Sequence, residues 1–324
     1  MITNFNELIS EANSIAIAGH IRPDGDCCGS CLAVYNYIVK NFENKDVHVI
    51  LQTIPSVFKF LKNSDKIEPE ETYDENAKFD LFICLDCGDG DRLGRSIKLF
   101  NNAKKTVCID HHMSNESFAD YNYIIPDESS TCELVYNQLG DDAVDKDIAE
   151  CIYTGIIHDT GVFQYTCCTE RTMQVAGRLM SKGIDYSAIC NNSYYAKSLT
   201  QNRMLGLALL KAKTYSNDRI IATVITKQEL DEYNATSRQL EGVVQQLRDT
   251  KGVEVALFLY ELSDGDFKGS TRATGEEDMV EICKEYGGGG HKKAAGFNVL
   301  TNDPWGEIDK IVARIEKQFE ALGI

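Results

Sequence analysis

The sequence predicts an α/β fold: a doubly wound, mainly parallel sheet in a first domain, then a helical connector and a smaller α/β domain. Three observations carry this prediction. Short apolar runs at 14–20, 47–52, 81–86 and 106–110 alternate with helix-patterned segments, as buried parallel strands do. Three of these runs lead into Asp and His residues. Past residue 213 the pattern changes to longer strands, a glycine run and a closing amphipathic helix.

Taken in order, SIAIAGH (14–20) is a strand running into Gly-His, and CLAVYNYIVKNF (31–42) has helical spacing. VHVILQ (47–52), LFICLD (81–86) and TVCID (106–110) are strands, apolar enough to be covered on both faces. SSTCELVYNQL (129–139) opens a helix, with Ser130 and Glu133 at capping-box spacing. DIAECIYTGIIHDTG (147–161) is a helix stopped by Asp-Thr-Gly, and RTMQVAGRLMSKG (171–183) is another, closed by Gly183. These segments define a catalytic domain over 1–188. SLTQNRMLGLALLKA supplies a helical connector over 189–213, and 214–324 form the second domain. There RIIATVIT (219–226) and VEVALFLYEL (253–262) are strands flanking a helical stretch, 228–249. FKGSTRAT (267–274) is a third strand, and EEDMVEICKEY (276–286) a helix ending in Gly287–Gly290. WGEIDKIVARIEKQF (305–319) is the amphipathic helix that closes the chain.

Composition removes several function classes. The 324 residues are enough for two cores, and recurring apolar runs argue against disorder. No uncharged apolar stretch nears the roughly 20 residues that span a bilayer, so no membrane partner is expected. The N-terminal MITNFNELISEANS lacks the basic and apolar parts of a secretory signal, which points to the cytoplasm. Twelve cysteines are then expected as reduced thiols. Cys28–Cys31 and Cys84–Cys87 have C-x-x-C spacing, but read more simply as small buried hydrophobes. With 50 acidic and 33 basic side chains the net charge is −17, which argues against wrapping long duplex DNA. A short phosphorylated ligand stays compatible with that charge if bound divalent cations supply the local positive field.

The chemistry gathers at element ends. The first strand leads into His20, Asp24 and Asp26; the 81–86 strand ends at Asp86; the 106–110 strand ends at Asp110-His111-His112; Asp159 follows a helix. Ligands of open α/β sheets bind beyond the carboxyl ends of the strands, so these residues would converge in one crevice. Carboxylates so collected either share protons or bind cations. Hard oxygen donors mixed with imidazole, with no obligatory thiolate, favour Mn²⁺, with Fe²⁺, Co²⁺ or Zn²⁺ admissible. One bridging carboxylate would place two ions about 3.5–4 Å apart, an arrangement suited to hydrolytic phosphoryl transfer. Any of these residues alone reads as a turn former, an N-cap or a surface histidine; four such segments together do not.

GHIRPDGDCCGS, LDCGDGDRLG, IDHHMSN and IIHDTGVF resemble motifs I to IV of the DHH phosphoesterase superfamily. FKGSTRAT and GGGGHKKAAGF resemble its DHHA1 domain. The resemblance covers essentially the whole chain, and the two-domain length is most similar to the NrnA-type oligoribonuclease/pAp-phosphatase subgroup. It implies that His20 and Asp24 hold one Mn²⁺, that Asp26, His111 and Asp159 hold a second, and that Asp86 bridges them. It further implies that Asp110 orients a histidine and that His112 faces the scissile phosphate as a donor or acid. Arg92, in D-R-L-G, is a looser match and equally a surface cation. In the second domain Gly288, Gly289, Gly290 and His291 match G-G-G-H-x-x-A-A-G and would bind substrate through exposed N–H groups. The glycines by themselves read as a flexible loop after a helix. Arg272 matches the S-x-R clamp for a terminal phosphate, with Ala273 where the family often has Ser. Lys292 and Lys293 either add charge there or are solvated.

The activity so implied is Mn²⁺-dependent hydrolysis of short oligoribonucleotides to 5′-mononucleotides, with pAp and pGpG as related substrates. A cleft between mobile domains would limit substrate length. A cyclic-dinucleotide phosphodiesterase shares both domains. A long-strand exonuclease is disfavoured by the charge, and an inorganic pyrophosphatase has a different C-terminal domain. A non-catalytic nucleic-acid-binding module, suggested by tails appended to alanyl-tRNA synthetases, has no use for the converging carboxylates. The sequence leaves a homodimer open.

Overall fold

Six strands build the first sheet: β1 (Ser14–Ala18), β2 (Asp46–Leu51), β3 (Ile67–Pro69), β4 (Leu81–Leu85), β5 (Lys105–Asp110) and β6 (Tyr121–Ile124). They run parallel throughout, in the order β3-β2-β1-β4-β5-β6. This is a doubly wound sheet whose order reverses between β1 and β4. The strand pattern explains the two layers of helix. Ile15, Ile17, Leu81, Ile83, Val107 and Ile109 point into one apolar cluster. Their alternates Ala16, Ala18, Phe82, Cys84 and Cys108 point into the other. Both faces are therefore covered, which is why these strands lack polar alternation. The coordinates are a computed structural model that describes residues 1–323.

The helices of this unit are α1 (Phe5–Glu11), α2 (Gly25–Asn41), α3 (Ser96–Asn102), α4 (Thr131–Leu139), α5 (Lys146–Asp159), α6 (Glu170–Ser181) and α7 (Tyr186–Ile189). A turn of π-helix, Cys190–Tyr195, follows α7. Backbones of α2 and α5 come close at two glycines. A Cβ on Gly29 would stand 2.4 Å from the Cys151 carbonyl, and one on Gly155 would stand 2.6 Å from Asp26 Oδ1. At α4 the anticipated capping box is half formed. Ser130 Oγ accepts from the Glu133 N–H, but the buried Glu133 carboxylate turns to Ser129 Oγ at 2.5 Å.

The chain divides into Met1–Ala196 and a second unit from Lys197 onward. The segment 189–213 is shared between them. Its π-helical turn belongs to the first, and its helix α8 (Leu199–Lys211) buries Met204 and Ala208 in a core of the second. The second sheet contains β7 (Lys213–Tyr215), β8 (Ile220–Ile225), β9 (Val255–Ser263), β10 (Asp266–Ala273), β11 (Gly289–His291) and β12 (Ala294–Leu300). Its order is β11-β12-β10-β9-β8-β7, antiparallel except for the β8–β9 pair. The stretch 228–249 is broken into α9 (Lys227–Glu232), a 3₁₀ turn (Ser237–Leu240) and α10 (Val243–Arg248), with Asn234 and Gly242 in left-handed conformations between them. Two further helices, α11 (Met279–Lys284) and α12 (Pro304–Leu322), pack on the face lined by Ala295 and Phe297. Among the described residues, no helix is long and apolar enough to cross a membrane.

The glycine run departs from the loop its composition predicts: Gly289–His291 is an edge strand against β12. The reason is backbone proximity. A Cβ on Gly288 would lie 2.2 Å from the Gly296 carbonyl, and one on Gly290 would lie 2.5 Å from that of Ala294. Only glycine lets two backbones approach this closely.

Candidate metal centre and substrate face

The loops after β1, β4 and β5 lie side by side at the carboxyl edge of the first sheet, where strand order reverses. His20 follows β1. Asp24 caps α2, its Oδ1 accepting from the N–H groups of Asp26 and Cys27 at 3.1 Å each. The plain reading of Asp24 as a helix cap is therefore correct; the side chain is 58% solvent-exposed, and its capping oxygen lies near His20. Asp26, in the first turn of α2, is fully buried. Asp86 follows β4 with φ 58°, a left-handed conformation uncommon outside glycine, while its N–H stays paired to the Ile109 carbonyl. Strain of this kind persists where surrounding structure enforces it, and it turns the carboxylate into the crevice. Asp110 ends β5, with His111 and His112 next. Asp159 ends α5, and the chain then reverses through three left-handed residues, Gly161, Val162 and Phe163.

These groups meet. Asp86 Oδ2 is 3.4 Å from His20 Nε2, which is 3.6 Å from Asp24 Oδ1. The other oxygen, Asp86 Oδ1, is 3.7 Å from His111 Nε2. That nitrogen is 3.0 Å from Asp159 Oδ2 and 3.9 Å from Asp26 Oδ2. Two donor sets thus share one carboxylate. The imidazole tautomers are fixed from behind. His20 Nδ1 donates to the Ile21 carbonyl at 2.8 Å and His111 Nδ1 to that of Glu128 at 3.3 Å, because a carbonyl can only accept. Both Nε2 atoms are left facing the carboxylates. At the rim of this cluster, His112 Nδ1 stands 3.7 Å from Asp86 Oδ1, within the group formed by Asp86, His111 and His112, and donates to Asp110 Oδ1 at 2.8 Å. Fully buried Asp110 also accepts from Asn115 Nδ2 at 2.8 Å, and the same amide holds the Cys87 carbonyl. The His112 ring is 41% exposed, far more than His20 or His111.

Charge crowding governs the protonation states. Burial, then Asp86 and Asp159, pushes the Asp26 carboxyl well above its ordinary range. Burial likewise raises Asp159 to about 6, against its hydrogen bond with His111. Burial opposes a charge on His20, but Asp24 and Asp86 outweigh it and push the imidazole up to about 12. His111 is raised to about 10, burial being overcome by Asp159, Asp26 and Asp86. The cluster thus gathers protons wherever a cation would otherwise balance its charge, and its oxygen and imidazole donors fit divalent metal ions. Cys27, to which the sequence reading gave no role, has its thiol beside His20 and Asp86. Burial keeps that thiol protonated, and it points to the His20 carbonyl at 3.9 Å, so it forms wall rather than donor. Cys28, Cys31, Cys84 and Cys87 are buried free thiols. Arg92 is exposed, on a 3₁₀ turn after Asp89.

In the second unit the register aligns the expected substrate residues. Arg272 on β10 is paired with Ala294 on β12, and Ala294 with His291 on β11. Directly opposed residues share a sheet face, so Arg272 and His291 flank a single alanine. One step along, Ser270, Gly296 and Gly289 continue the same face. The result is a shallow shelf of small residues between a guanidinium and an imidazole. Arg272 Nη1 also donates to the Thr271 carbonyl at 2.9 Å.

A doubly wound domain with a crowded carboxylate–imidazole centre, joined to a mixed-sheet domain with a glycine edge strand, defines a metal-dependent phosphoesterase class. Residues 14–156 match the DHH family N-terminal domain and residues 217–321 the DHHA1 domain, and the chain belongs to the DHH/DHHA1 family. It is 26% identical over 321 residues to the bifunctional oligoribonuclease and PAP phosphatase NrnA of Bacillus subtilis (strain 168), covering 98% of each chain. It is 27% identical over 303 residues to the probable bifunctional oligoribonuclease and PAP phosphatase NrnA of Streptococcus mutans, covering 90% of this chain and 91% of that one. An exopolyphosphatase-related protein from Bacteroides fragilis superposes with a TM-score of 0.88 at 28% identity, over 98% of this chain and 96% of the other.

Proposed function

We propose that the chain is a Mn²⁺-dependent phosphoesterase that hydrolyses short oligoribonucleotides to 5′-mononucleotides and removes the 3′-phosphate of pAp. The observation that carries this reading is Asp86, whose two oxygens face separate donor sets, His20 with Asp24 and His111 with Asp26 and Asp159. In this reading these six residues would hold two divalent ions, with Asp86 shared between the two sets. Ions held there supply Lewis-acid activation of water and charge neutralisation at the phosphoryl oxygens. The hard, mixed donor set favours Mn²⁺. The relatives named as oligoribonuclease and PAP phosphatase align over almost their whole length, which supports the substrate class.

The chain's own groups do the remaining work. Asp110 and Asn115 fix the His112 tautomer so that Nδ1 keeps its proton and Nε2 faces outward. The Asp110 hydrogen bond, the largest influence, raises the His112 pKa above the ordinary imidazole value, with burial opposing it. That suits His112 to give a proton from Nε2 to the leaving oxygen as the P–O bond breaks. Arg272 would hold a substrate phosphate through paired N–H groups, and His291 with the N–H groups of Gly288–Gly290 would take the rest of the nucleotide.

The test is a side-by-side assay of a 5′-labelled RNA dimer, an RNA too long for one site, pAp, cyclic di-AMP and polyphosphate, each with Mn²⁺ and with EDTA. Metal-dependent preference for the dimer and pAp supports the proposal. Preference for the cyclic dinucleotide or polyphosphate moves the protein to a different substrate class. Tight RNA binding without turnover on any substrate leaves a binding module.

A further inference from the structure

The two buried carboxylates of the centre are held by the first residues of α4, a segment outside the four metal-site motifs. Thr131 Oγ1 donates to Asp86 Oδ1 at 3.0 Å. The Thr131 N–H donates to Asp26 Oδ2 at 2.7 Å, and the Cys132 N–H to Asp26 Oδ1 at 2.8 Å. Thr131, Cys132 and Asp26 have no exposed surface and Asp86 has 2%, so no solvent competes for these bonds. Ser130 caps the helix, which fixes where its free N–H groups point.

We propose that Thr131 is the positioning residue for the bridging carboxylate, setting the rotation at which Asp86 presents one oxygen to each metal-binding set. The proposal rests on the reading of Asp86 as the shared ligand of two ions. A carboxylate is nearly free to rotate about its terminal torsion, whereas a β-branched threonine holds few rotamers. Asp86 Oδ1 has two lone-pair directions. The Thr131 hydroxyl occupies one of them and leaves the other toward the two neighbouring imidazoles, where His112 Nδ1 is already taken by Asp110 and His111 Nε2 faces the carboxylates, with Oδ2 kept toward His20. The backbone N–H of the same residue holds Asp26, so one residue spaces a ligand of one set from the ligand shared by both. Loss of the hydroxyl would leave Asp86 in place and let its carboxylate turn. The consequence is the loss of two-site occupancy rather than the loss of the fold.

The test uses the full chain and Mn²⁺ alone. Thr131→Val removes the hydroxyl while keeping the shape and the N–H to Asp26; Thr131→Ser restores the hydroxyl. Calorimetric titration of the wild type should count two ions. In Thr131→Val one ion should bind about 10–100-fold more weakly, the range typical when a group supporting a ligand is removed. Electron paramagnetic resonance should change from an exchange-coupled pair to the six-line signal of isolated Mn²⁺. Thr131→Ser should recover both readouts, and kcat on the RNA dimer should fall in Thr131→Val with KM nearly unchanged. Thr131→Ala, checked by circular dichroism, gives the same comparison should valine fail to fold. Two tightly bound, coupled ions in a folded Thr131→Val or Thr131→Ala protein would overturn the role of Thr131. A wild type that binds fewer than two ions would instead overturn the two-metal reading on which it rests.

Discussion

In the first unit the polar groups stand beyond the ends of strands, whereas in the second they stand on the face of strands near the sheet edge. Beyond the ends, His20, Asp86 and Asp110–His112 come from three loops and need α4 and α5 to complete their surroundings. On the face, Arg272, Ala294 and His291 are spaced by the ladder itself. The first arrangement makes a deep, crowded centre in which protonation, strain and burial are all perturbed. The second makes a shelf of small residues whose spacing is set by strand pairing. The difference fits the proposed division of labour, in which the crowded arrangement breaks the bond and the shelf holds the substrate.

The sharpest test of this division is Asp86→Asn, which keeps a side chain tolerant of the left-handed conformation and removes the shared charge. Turnover should fall at least about 10³-fold on every substrate alike, including bis(p-nitrophenyl) phosphate. His112→Asn should lower kcat on the RNA dimer by about 10²-fold and spare p-nitrophenyl esters, whose leaving group needs no proton. Equal losses on both would show that His112 acts otherwise. Arg272→Ala should raise KM for the dimer and for pAp by about 10–100-fold, the cost of one charged hydrogen-bonded pair, with little change on bis(p-nitrophenyl) phosphate. A large kcat loss in this variant would break the division, because it would place the shelf in the chemical step.

The smallest expected effect is on stability. His20 and His111 are held at about 12 and about 10, above the unfolded imidazole value of about 6.5. Their contribution is complete below about pH 6.5 and is lost as pH rises toward those values. Asp26 and Asp159, raised by burial and carboxylate neighbours, act in the same direction, Asp159 through about 6. Asp24, which His20 holds down at about 2 against burial, titrates well below this window. The melting temperature of EDTA-treated protein should therefore decline from about pH 6 to about pH 9. Added Mn²⁺ should reverse that slope, since ligands bind metal by giving up protons. A flat profile without metal would show that the cluster does not hold its protons.

The same contrast explains what could be read in the sequence. β1, β4 and β5 are central strands, apolar on both faces, and their own residues announce them. Edge strands do not: Ile67–Pro69, Tyr121–Ile124, Lys213–Tyr215 and Gly289–His291 are short and exist because a neighbour supplies the ladder. β12 begins Ala-Ala-Gly, too small to give a strand pattern. Each residue expected at the metal centre lies in that crevice, because the ends of β1, β4 and β5 carry His20, Asp86 and His111 there and the ends of α2 and α5 add Asp24, Asp26 and Asp159. Asn115 closes the IDHHMSN segment but is given no role by it, and Thr131 lies outside every such segment. A hydroxyl and an amide are ordinary at a helix start and in a loop, and only the tertiary contacts to Asp86, Asp26 and Asp110 distinguish them.

The distribution of thiols gives the first unit a reporter of its own. Eleven of the twelve cysteines lie there, and the second unit has only Cys283. Cys167, Cys168 and Cys190 are partly exposed; the other eight in that unit are buried. A thiol reagent added to the native protein should therefore react at a few positions quickly and at the eight buried thiols of this unit only when it opens, with Cys283→Ser removing the second unit's contribution. The slow phase is a stopwatch for opening, read without labels, substrates or turnover. Run with and without divalent ions, it separates how firmly the centre ties its own domain shut from whether that domain catalyses anything.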